Sequence, residues 1–488
     1  MTAAVLENLG LLAEAPGGIE RLRELILELA TNGRLLGVNG DWRATQLREL
    51  VVSSGAGWSP SCDARPRSDD EWGVLKVSAV SWGQFRPDEN KALPAHLTPR
   101  PELQVQPGDF LVSRANTAEL VARSVVVEGT PPKLMLSDKI VRLRLSDACD
   151  PRFIQIANSA PEARRYYARV AGGTSSSMKN VSREQILALP VLLPPLAEQH
   201  RIVAKFDELM ALCDRLEARQ QDAEAAHARL VQALLDSLTQ ARDAEEFQAC
   251  WQRLATAFAE TFTSEASVEA LAQAVRTLAF RGALSRDGAA NWKQVRVNDA
   301  VQFLNGYAFK SEWFVPHGIR LVRNVNIAHG SIDWRDAACI PVERSDEFAA
   351  FSLKAGDVLL TLDRPIISTG LKVAVVRAGD LPCLLLQRVA RLTPREHLVR
   401  AAYLLHWLRS PLFIDAIDPG RSNGVPHIST KQVGSMTIPL PALDEQDRIV
   451  ANLDSLLALC DQLKARIAAA RAKHAQLAEA LVAQAVAA

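Results

Sequence analysis

Proline and glycine are absent from Leu196 through Arg281, although the 488-residue chain holds 25 of each. Without its two strongest breakers, that stretch is free to run as long helix. No run approaches 18 apolar residues, which argues against a transmembrane helix. The first ten residues, MTAAVLENLG, lack the basic flank and apolar core of a secretory signal. The seven cysteines (Cys62, Cys149, Cys213, Cys250, Cys339, Cys383 and Cys460) are scattered, with no C-x-x-C pair. Neither a disulfide framework nor a zinc cluster is expected, and the pattern suits a reducing compartment, the cytoplasm. Enzyme signatures are missing as well. There is no phosphate-binding G-x-x-x-x-G-K-[ST], no H-E-x-x-H, no G-x-S-x-G and no G-x-G-x-x-G opening a helix. The Asn-Pro-Pro-aromatic and Asp-Pro-Pro-aromatic tetrapeptides of amino-methyltransferases are absent, and the nine His show no ligand spacing. The chain is therefore expected to have no catalytic residues, no metal site and no cofactor of its own.

What is present is a duplication. Leu193–Leu216 (LPPLAEQHRIVAKFDELMALCDRL) returns at Leu440–Leu463 (LPALDEQDRIVANLDSLLALCDQL), with 16 of 24 positions identical at a constant spacing of 247 residues. A repeat period near half the chain length marks a tandem duplication. A fainter pair lies upstream. Glu20–Leu35 and Glu269–Leu284 share Ala, Gly and Leu at Ala30/Ala279, Gly33/Gly282 and Leu35/Leu284, and each reads as an amphipathic helix closed by Gly. In the strong repeat, Ile202, Phe206, Leu209, Cys213 and Leu216 step by four and three. So do Ile449, Leu453, Leu456, Cys460, Leu463, Ile467, Ala470, His474, Leu477 and Leu481. That alternation is a coiled-coil seam, and each helix should run about 40 residues. Neither seam can bury itself alone, so the two copies are expected to pack on each other. Arg242–Phe262 reads as a further, linking helix.

Charge is absent only in total. The 56 Lys and Arg balance 56 Asp and Glu, yet residues 43–190 carry a net +4, residues 291–440 a net +5 and the remainder −9. The two basic segments contain β-like runs: Gly108–Arg114, Ala122–Glu128 and Lys139–Leu145, then Gly356–Asp363, Leu371–Arg377 and Leu384–Leu392. Each continues into a helical stretch, Phe153–Val170 or Val399–Ile417. A polar loop follows, Ala171–Asn180 or Pro419–Ile428, and then the Pro-rich approach to a long helix.

The Pro-rich approach with E-Q-x-R-I-V at Leu193–Val203 and Leu440–Val450 resembles the specificity subunit of Type I restriction–modification systems. So do the upstream L-x-x-L-A-x-x-G helix and the order of loop and approach from Gly420 (GRSNGVPHIST…IPLPALDEQ). The resemblance covers the whole chain in arrangement and is specific in the two helical blocks. It implies an α+β protein with two target-recognition domains, each reading half of a bipartite site in double-stranded DNA. Two long antiparallel coiled-coil helices would join them in a pseudo-two-fold repeat and bind two modification subunits, with restriction/translocase subunits added. S-adenosylmethionine, ATP and Mg2+ are then expected in those partners. The implied boundaries are 1–42 (N-terminal helical segment), 43–192 (first recognition domain), 193–290 (central helical repeat), 291–439 (second recognition domain) and 440–488 (C-terminal helix). The residues support the same picture, because antiparallel pairing of duplicated helices would turn the two basic segments toward DNA with a fixed gap. The competing readings are a single-chain DNA methyltransferase or nuclease, and a coiled-coil assembly scaffold that reads no DNA.

Arg and Lys contact phosphate or guanine, and Asn and Gln contact adenine. Polar residues on loops flanking strands are the candidates. In the first half these are Lys76, Ser78, Arg114, Asn116, Ser175, Ser176 and Lys179. In the second they are Arg323, Asn324, Asn326, Arg364, Arg421, Asn423, His427 and Lys431. Glu198, Gln199, Arg201, Glu445, Gln446 and Arg448 are the candidate partner surface, with helix capping as their alternative role. Cys213 and Cys460 are expected as apolar fillers, His227 and His474 as packed or rim residues. The tryptophans Trp72, Trp82, Trp313 and Trp334 are expected in the core.

Overall fold

The first part of the breaker-free stretch folds as expected into one long helix, Leu196–Thr239, and its repeat into another, Leu443–Ala487, of 44 and 45 residues. The computed structural model describes residues 9–37, 42–175, 178–286, 288–367, 370–417, 420–422 and 425–487. The chain divides into two units, residues 1–223 with 470–488, and residues 224–469. Each long helix thus begins in one unit and ends in the other, so the two run in opposite directions. Among the described residues no helix is long and apolar enough to cross a membrane.

In the first unit, Ile202, Phe206, Leu209 and Cys213 of the first long helix share a core with Leu22, Leu25, Ile26 and Leu29 of the short helix Gly18–Thr31. Ala478 of the second long helix is buried in that core, with Leu481 and Val482 packed against it. In the second unit, Val231, Leu235 and Leu238 pack with Cys460, Leu457, Leu463 and Ile467. The seam lapses at Ala470, which is exposed, and again near its end, where Leu477 is 50% exposed and Ala478 only 1%. A helix of 3.6 residues per turn drifts by about 20° per heptad from a 3.5 repeat, and the extrapolated stripe rotates off the contact. The two short helices end where expected. Gly33 (φ 85°) and Gly282 (φ 91°) follow their last turns in the left-handed region that glycine alone enters freely.

Each basic segment is pinned at both ends by one antiparallel ladder. Arg43–Gln46 pairs with Pro190–Leu193, and Lys293–Arg296 pairs with Thr437–Leu440. Between these lies a four-stranded antiparallel sheet in the first unit, in the order Val51–Ala56, Ile140–Leu145, Phe110–Ser113, Ser124–Val126. The second unit has a five-stranded sheet, in the order Val301–Asn305, Val389–Pro394, Val358–Thr361, Val373–Val375, His329–Gly330. The Gly-Asp pairs open the central strands through the same turn. Gly108 and Gly356 take φ 87° and 92°, while Asp109 accepts the Gln106 N–H at 2.9 Å and Asp357 that of Lys354 at 2.8 Å.

Four expected elements are broken. The helix expected over Phe153–Val170 is two, Pro151–Ser159 and Pro161–Val170, because Pro161 cannot continue the first. The helix over Val399–Ile417 divides likewise into Ala401–Leu408 and Pro411–Ile414. The strand over Leu384–Leu392 splits because Cys383–Leu385 belongs to a three-stranded sheet and Val389–Pro394 to the five-stranded one, with Arg388 at φ 79° between them. The linking helix over Arg242–Phe262 also divides, into Ala244–Thr256 and Phe258–Thr261.

Candidate nucleic-acid interface

In both units the polar loop folds back onto the end of the strand that follows Gly-Asp. In the first, the hairpin Gly172–Ser175/Met178–Asn180 adds to Ala115–Asn116, with Lys179 opposite Asn116. In the second, the hairpin Gly420–Ser422/Val425–His427 meets the chain where His427 bridges Asp363. Lys179 and His427 are 248 residues apart, the spacing of the Gly-Asp pairs themselves. The duplication therefore preserves a platform in which a Gly/Ser/Asn-rich loop is anchored to a strand, the usual way a fold presents binding residues.

The second platform is organised around Asp363. Its Oδ1 lies 2.6 Å from His427 Nδ1 and its Oδ2 lies 3.3 Å from Arg388 Nε. Asn324 Nδ2 donates to the Asp363 carbonyl at 2.8 Å, and Lys372 Nζ donates to the Asn324 carbonyl at 2.5 Å and to Asn324 Oδ1. Partial burial lowers the Lys372 ammonium pKa. Arg364 and Arg388, on either side of Asp363, hold φ of 46° and 79°. Non-glycine residues in this region cost roughly 1–3 kcal/mol each, and such strain gathers where a side chain must be aimed.

The first platform is organised around Asn116. Asn116 Nδ2 donates to Ser81 Oγ at 2.9 Å, its Oδ1 accepts the Thr117 N–H at 2.8 Å, and Lys179 Nζ closes its own hairpin on the Gly173 carbonyl at 2.6 Å. Lys76 Nζ and Ser78 Oγ both turn to Glu89, at 3.7 Å and 2.7 Å. Arg114 is half-buried beside them in sequence with Ala115. Trp82, expected in the core, is 53% exposed next to Ser81, with the Arg86 guanidinium 5.6 Å from its ring. Trp334 does pack as expected, donating to Asp380 Oδ1 at 2.8 Å under the Arg320 guanidinium.

Of the remaining candidates, Arg323 pairs with Asp336 Oδ1 at 2.9 Å, and Lys431 is exposed in the helix Thr430–Ser435. Ser175 and Arg421 lie within hairpin strands. Ser176 and Asn423 fall outside the described residues. Asn326 is corrected. It is 1% exposed, and its amide is spent on the Asp333 and Asp336 carbonyls at 2.9 and 2.8 Å, so it shapes a turn and offers nothing to a base.

The candidate partner surface needs a similar correction. Gln199 and Gln446 are both fully buried. Each side chain bonds three backbone groups, which ties the start of a long helix to the recognition segment before it. Glu198 accepts from Trp42 Nε1 at 3.1 Å, and Glu445 accepts the Arg286 N–H at 3.0 Å and pairs with Arg448. Arg201 is exposed. The glutamines of the repeated E-Q-x-R string thus act as structural clamps. Sequence reasoning also passed over Asp363, Lys372 and Arg388. Only the Gly-Asp strand preceding Asp363 signalled it, and nothing in the residue string marks the positive φ of Arg388.

Among the described residues there is no group of three or more His, Cys, Asp and Glu poised to hold a metal ion. All seven cysteines are free, with Cys213 and Cys460 buried in separate cores as fillers. His474 Nε2 lies 2.8 Å from the Leu11 carbonyl.

Residues 290–470 match the family described as the Type I restriction modification DNA specificity domain. The specificity subunit of the Type I restriction enzyme EcoAI from Escherichia coli is 40% identical over 351 residues, which are 63% of this chain and 60% of that protein. The EcoEI specificity subunit, also from Escherichia coli, is 36% identical over 198 residues, 40% of this chain and 33% of the relative. The matched regions thus span less than two thirds of those relatives' length. A solved chain from a study of complex assembly and conformational transition of the type I R-M system is similar in fold. Its TM-score is 0.50 at 19% identity, covering 92% of this chain and 98% of that one.

Proposed function

We infer the function from kinship, because this chain belongs to the family of Type I restriction–modification DNA specificity subunits. Each recognition domain, residues 43–192 and residues 291–439, reads one half of a bipartite site in duplex DNA. The long helices fix the number of unread base pairs between the halves and dock two modification subunits, to which restriction/translocase subunits add. The chain catalyses nothing itself. S-adenosylmethionine, ATP and Mg2+ are held by those partners, and the assembly works in the cytoplasm.

The observation that carries this reading is the doubled platform. Asn116 with Lys179, and Asp363 with His427, occupy matching places in two basic segments of unlike sequence. One scaffold with two sets of side chains is what recognition of two different half-sites requires. Asn116, Lys179 and Ser175 read the first half-site; Asn324, Arg364, Arg388, His427 and Arg421 read the second. Lys76, Arg114, Arg323 and Lys431 hold phosphate, which sets register without carrying sequence information. Exposed Arg201, with Glu198, Glu445 and Arg448, contributes the polar edge of the modification-subunit contact.

Footprinting of the complex reconstituted with its modification subunits tests the proposal. Two protected patches separated by a constant gap are expected, and affinity should fall steeply with salt as phosphate contacts release counterions. Uniform protection, or none, would overturn it.

A further inference from the structure

The two units place cations at matching points and differ in what neutralises them. Lys76 and Arg323 each precede a short 3-10 turn, Val77–Val80 or Asn324–Asn326. Glu89 lies 3.7 Å from the first cation and Asp336 2.9 Å from the second, and cations and carboxylates alike are 247 residues apart. Lys139 and Arg388 form a second matched pair. The Lys139 carbonyl accepts the Arg114 N–H at 2.9 Å, and the Arg114 carbonyl accepts that of Val181 at 2.9 Å. In the second unit the Arg388 carbonyl accepts the Leu362 N–H at 2.9 Å, and the Leu362 carbonyl accepts that of Ile428 at 2.9 Å. After Leu362 comes Asp363, 3.3 Å from the Arg388 guanidinium, but after Arg114 comes Ala115. The first unit thus keeps the cation and lacks the carboxylate that answers it.

Lys139 lines a groove of about 300 Å³ together with Lys76 and Lys91. Lys91 belongs to the first unit alone: it is paired with Val74 across its ladder, where Ala338 is paired with Leu321 in the second. Among the described residues neither Lys91 nor Lys139 forms an ion pair, and no carboxylate lines the groove. The carboxylates adjoining it in sequence are engaged, Asp138 by the Ser59 hydroxyl and Asp63 by Arg65 at 3.8 Å. Ser137, also in the lining, is 6% exposed, and its buried Oγ has no hydrogen-bond partner. Three ammoniums, only one of them answered by a carboxylate, and a spare hydroxyl donor suit a phosphate, which lysine binds as a point charge. The groove adjoins the first platform at both ends. Lys139 bonds Arg114, two residues before Asn116, and Lys76 opens the turn that closes at Ser81, whose Oγ accepts from Asn116 Nδ2 at 2.9 Å.

We propose that Lys139 and Lys91, with Lys76 and Ser137 beside them, hold one backbone phosphate of the DNA at the first half-site. This rests on the reading of residues 43–192 as a DNA-recognition domain. It gives matched residues different work. Asp363 aims Arg388, whereas Lys139, with no carboxylate to orient it, takes phosphate and adds affinity without sequence information.

The test uses the complex reconstituted with its modification subunits, carrying Lys91→Gln and Lys139→Gln together. Both side chains are exposed, so the melting temperature should stay unchanged. Affinity should fall about tenfold or more, by the same factor on the specific and on an unrelated duplex. The plot of log affinity against log salt should become shallower by about one. Duplexes with a single uncharged methylphosphonate, scanned through the first protected patch, then locate the contact. At one position the wild type should lose as much affinity as the lysine variant has lost, and the variant should lose nothing more. Lys139→Gln alone gives the same comparison should the pair fail to fold. Unchanged affinity and slope, a loss confined to the specific duplex, or equal methylphosphonate losses in wild type and variant at every position would overturn the proposal. In each case the two-patch footprint of the wild type, and with it the recognition reading, would stand. Absence of that footprint would overturn both.

Discussion

The side-chain oxygen of Gln446 accepts the backbone N–H of Arg400 at 2.9 Å, inside protein from which water is fully excluded. The amide nitrogen donates to the carbonyls of Leu398 and Pro441 at 2.9 and 3.0 Å. Gln199 repeats the pattern with the Asp150 N–H at 2.8 Å and the Ala148 and Pro194 carbonyls at 3.2 and 2.8 Å. Glutamine is suited to the place because it carries both a donor and an acceptor at the end of one stem.

Replacing Gln446 by Ala should therefore destabilise the chain by about 2–4 kcal/mol, since three backbone groups lose a buried partner. Gln446→Glu should be no better, because a carboxylate would face two carbonyls. Denaturant unfolding monitored by circular dichroism reads the loss. A change under about half a kcal/mol, the usual scale of a surface substitution, would show that the clamp contributes little.

Asp363 orients two basic side chains at once. Asp363→Ala is expected to weaken binding to the specific site by about 1–3 kcal/mol, the worth of one good base contact, while leaving binding to unrelated duplex nearly unchanged. Competition binding by the reconstituted complex separates the two quantities. Equal loss on both DNAs would mean that Asp363 supports phosphate contacts only.

Gly57 and Gly306 sit 249 residues apart, each against a carbonyl, that of Leu136 or Leu386, with no room for a Cβ. Gly306→Ala should cost about 1–3 kcal/mol through forced backbone movement. Gly379, with open space around its α-carbon, should accept Ala with little effect. Melting temperatures of the two variants, compared side by side, give the answer.

Burial is the main cause that lowers the His406 pKa below its ordinary value of 6.5, and nearby Arg276 and Arg409 add to it, against the opposing pull of Asp454. The unfolded chain then binds the proton more readily than the folded one. The stability held by neutral His406 is fully present above about pH 6.5 and drains away as pH falls below it. Unfolding curves in phosphate-free buffer between pH 8 and 5 should show this decline, and His406→Gln should flatten it.

Much of this arrangement was legible in the residue string because helices and duplications write themselves locally. The 4–3 stepping from Ile202 to Leu216 and the spacing of Cys213 and Cys460 needed no tertiary information. The platforms were half legible. Lys179 and His427 stood out as polar loop residues, but their common placement depends on long-range pairing with Asn116 and Asp363. Gln199 and Gln446 misled for the opposite reason. A polar residue repeated on a helix resembles a surface, and only the packing of the preceding segment shows that it is sealed inside. Arg388 was illegible, since a left-handed arginine differs from any other only in its backbone.

The exchange of helix ends has a thermodynamic consequence. Ala478 completes a core whose other members come from the opposite half of the polypeptide, and Val231, Leu235 and Leu238 do the same in return. Heat that loosens either half withdraws a rod from its counterpart, so the two should melt together in a single calorimetric peak despite their unlike sequences.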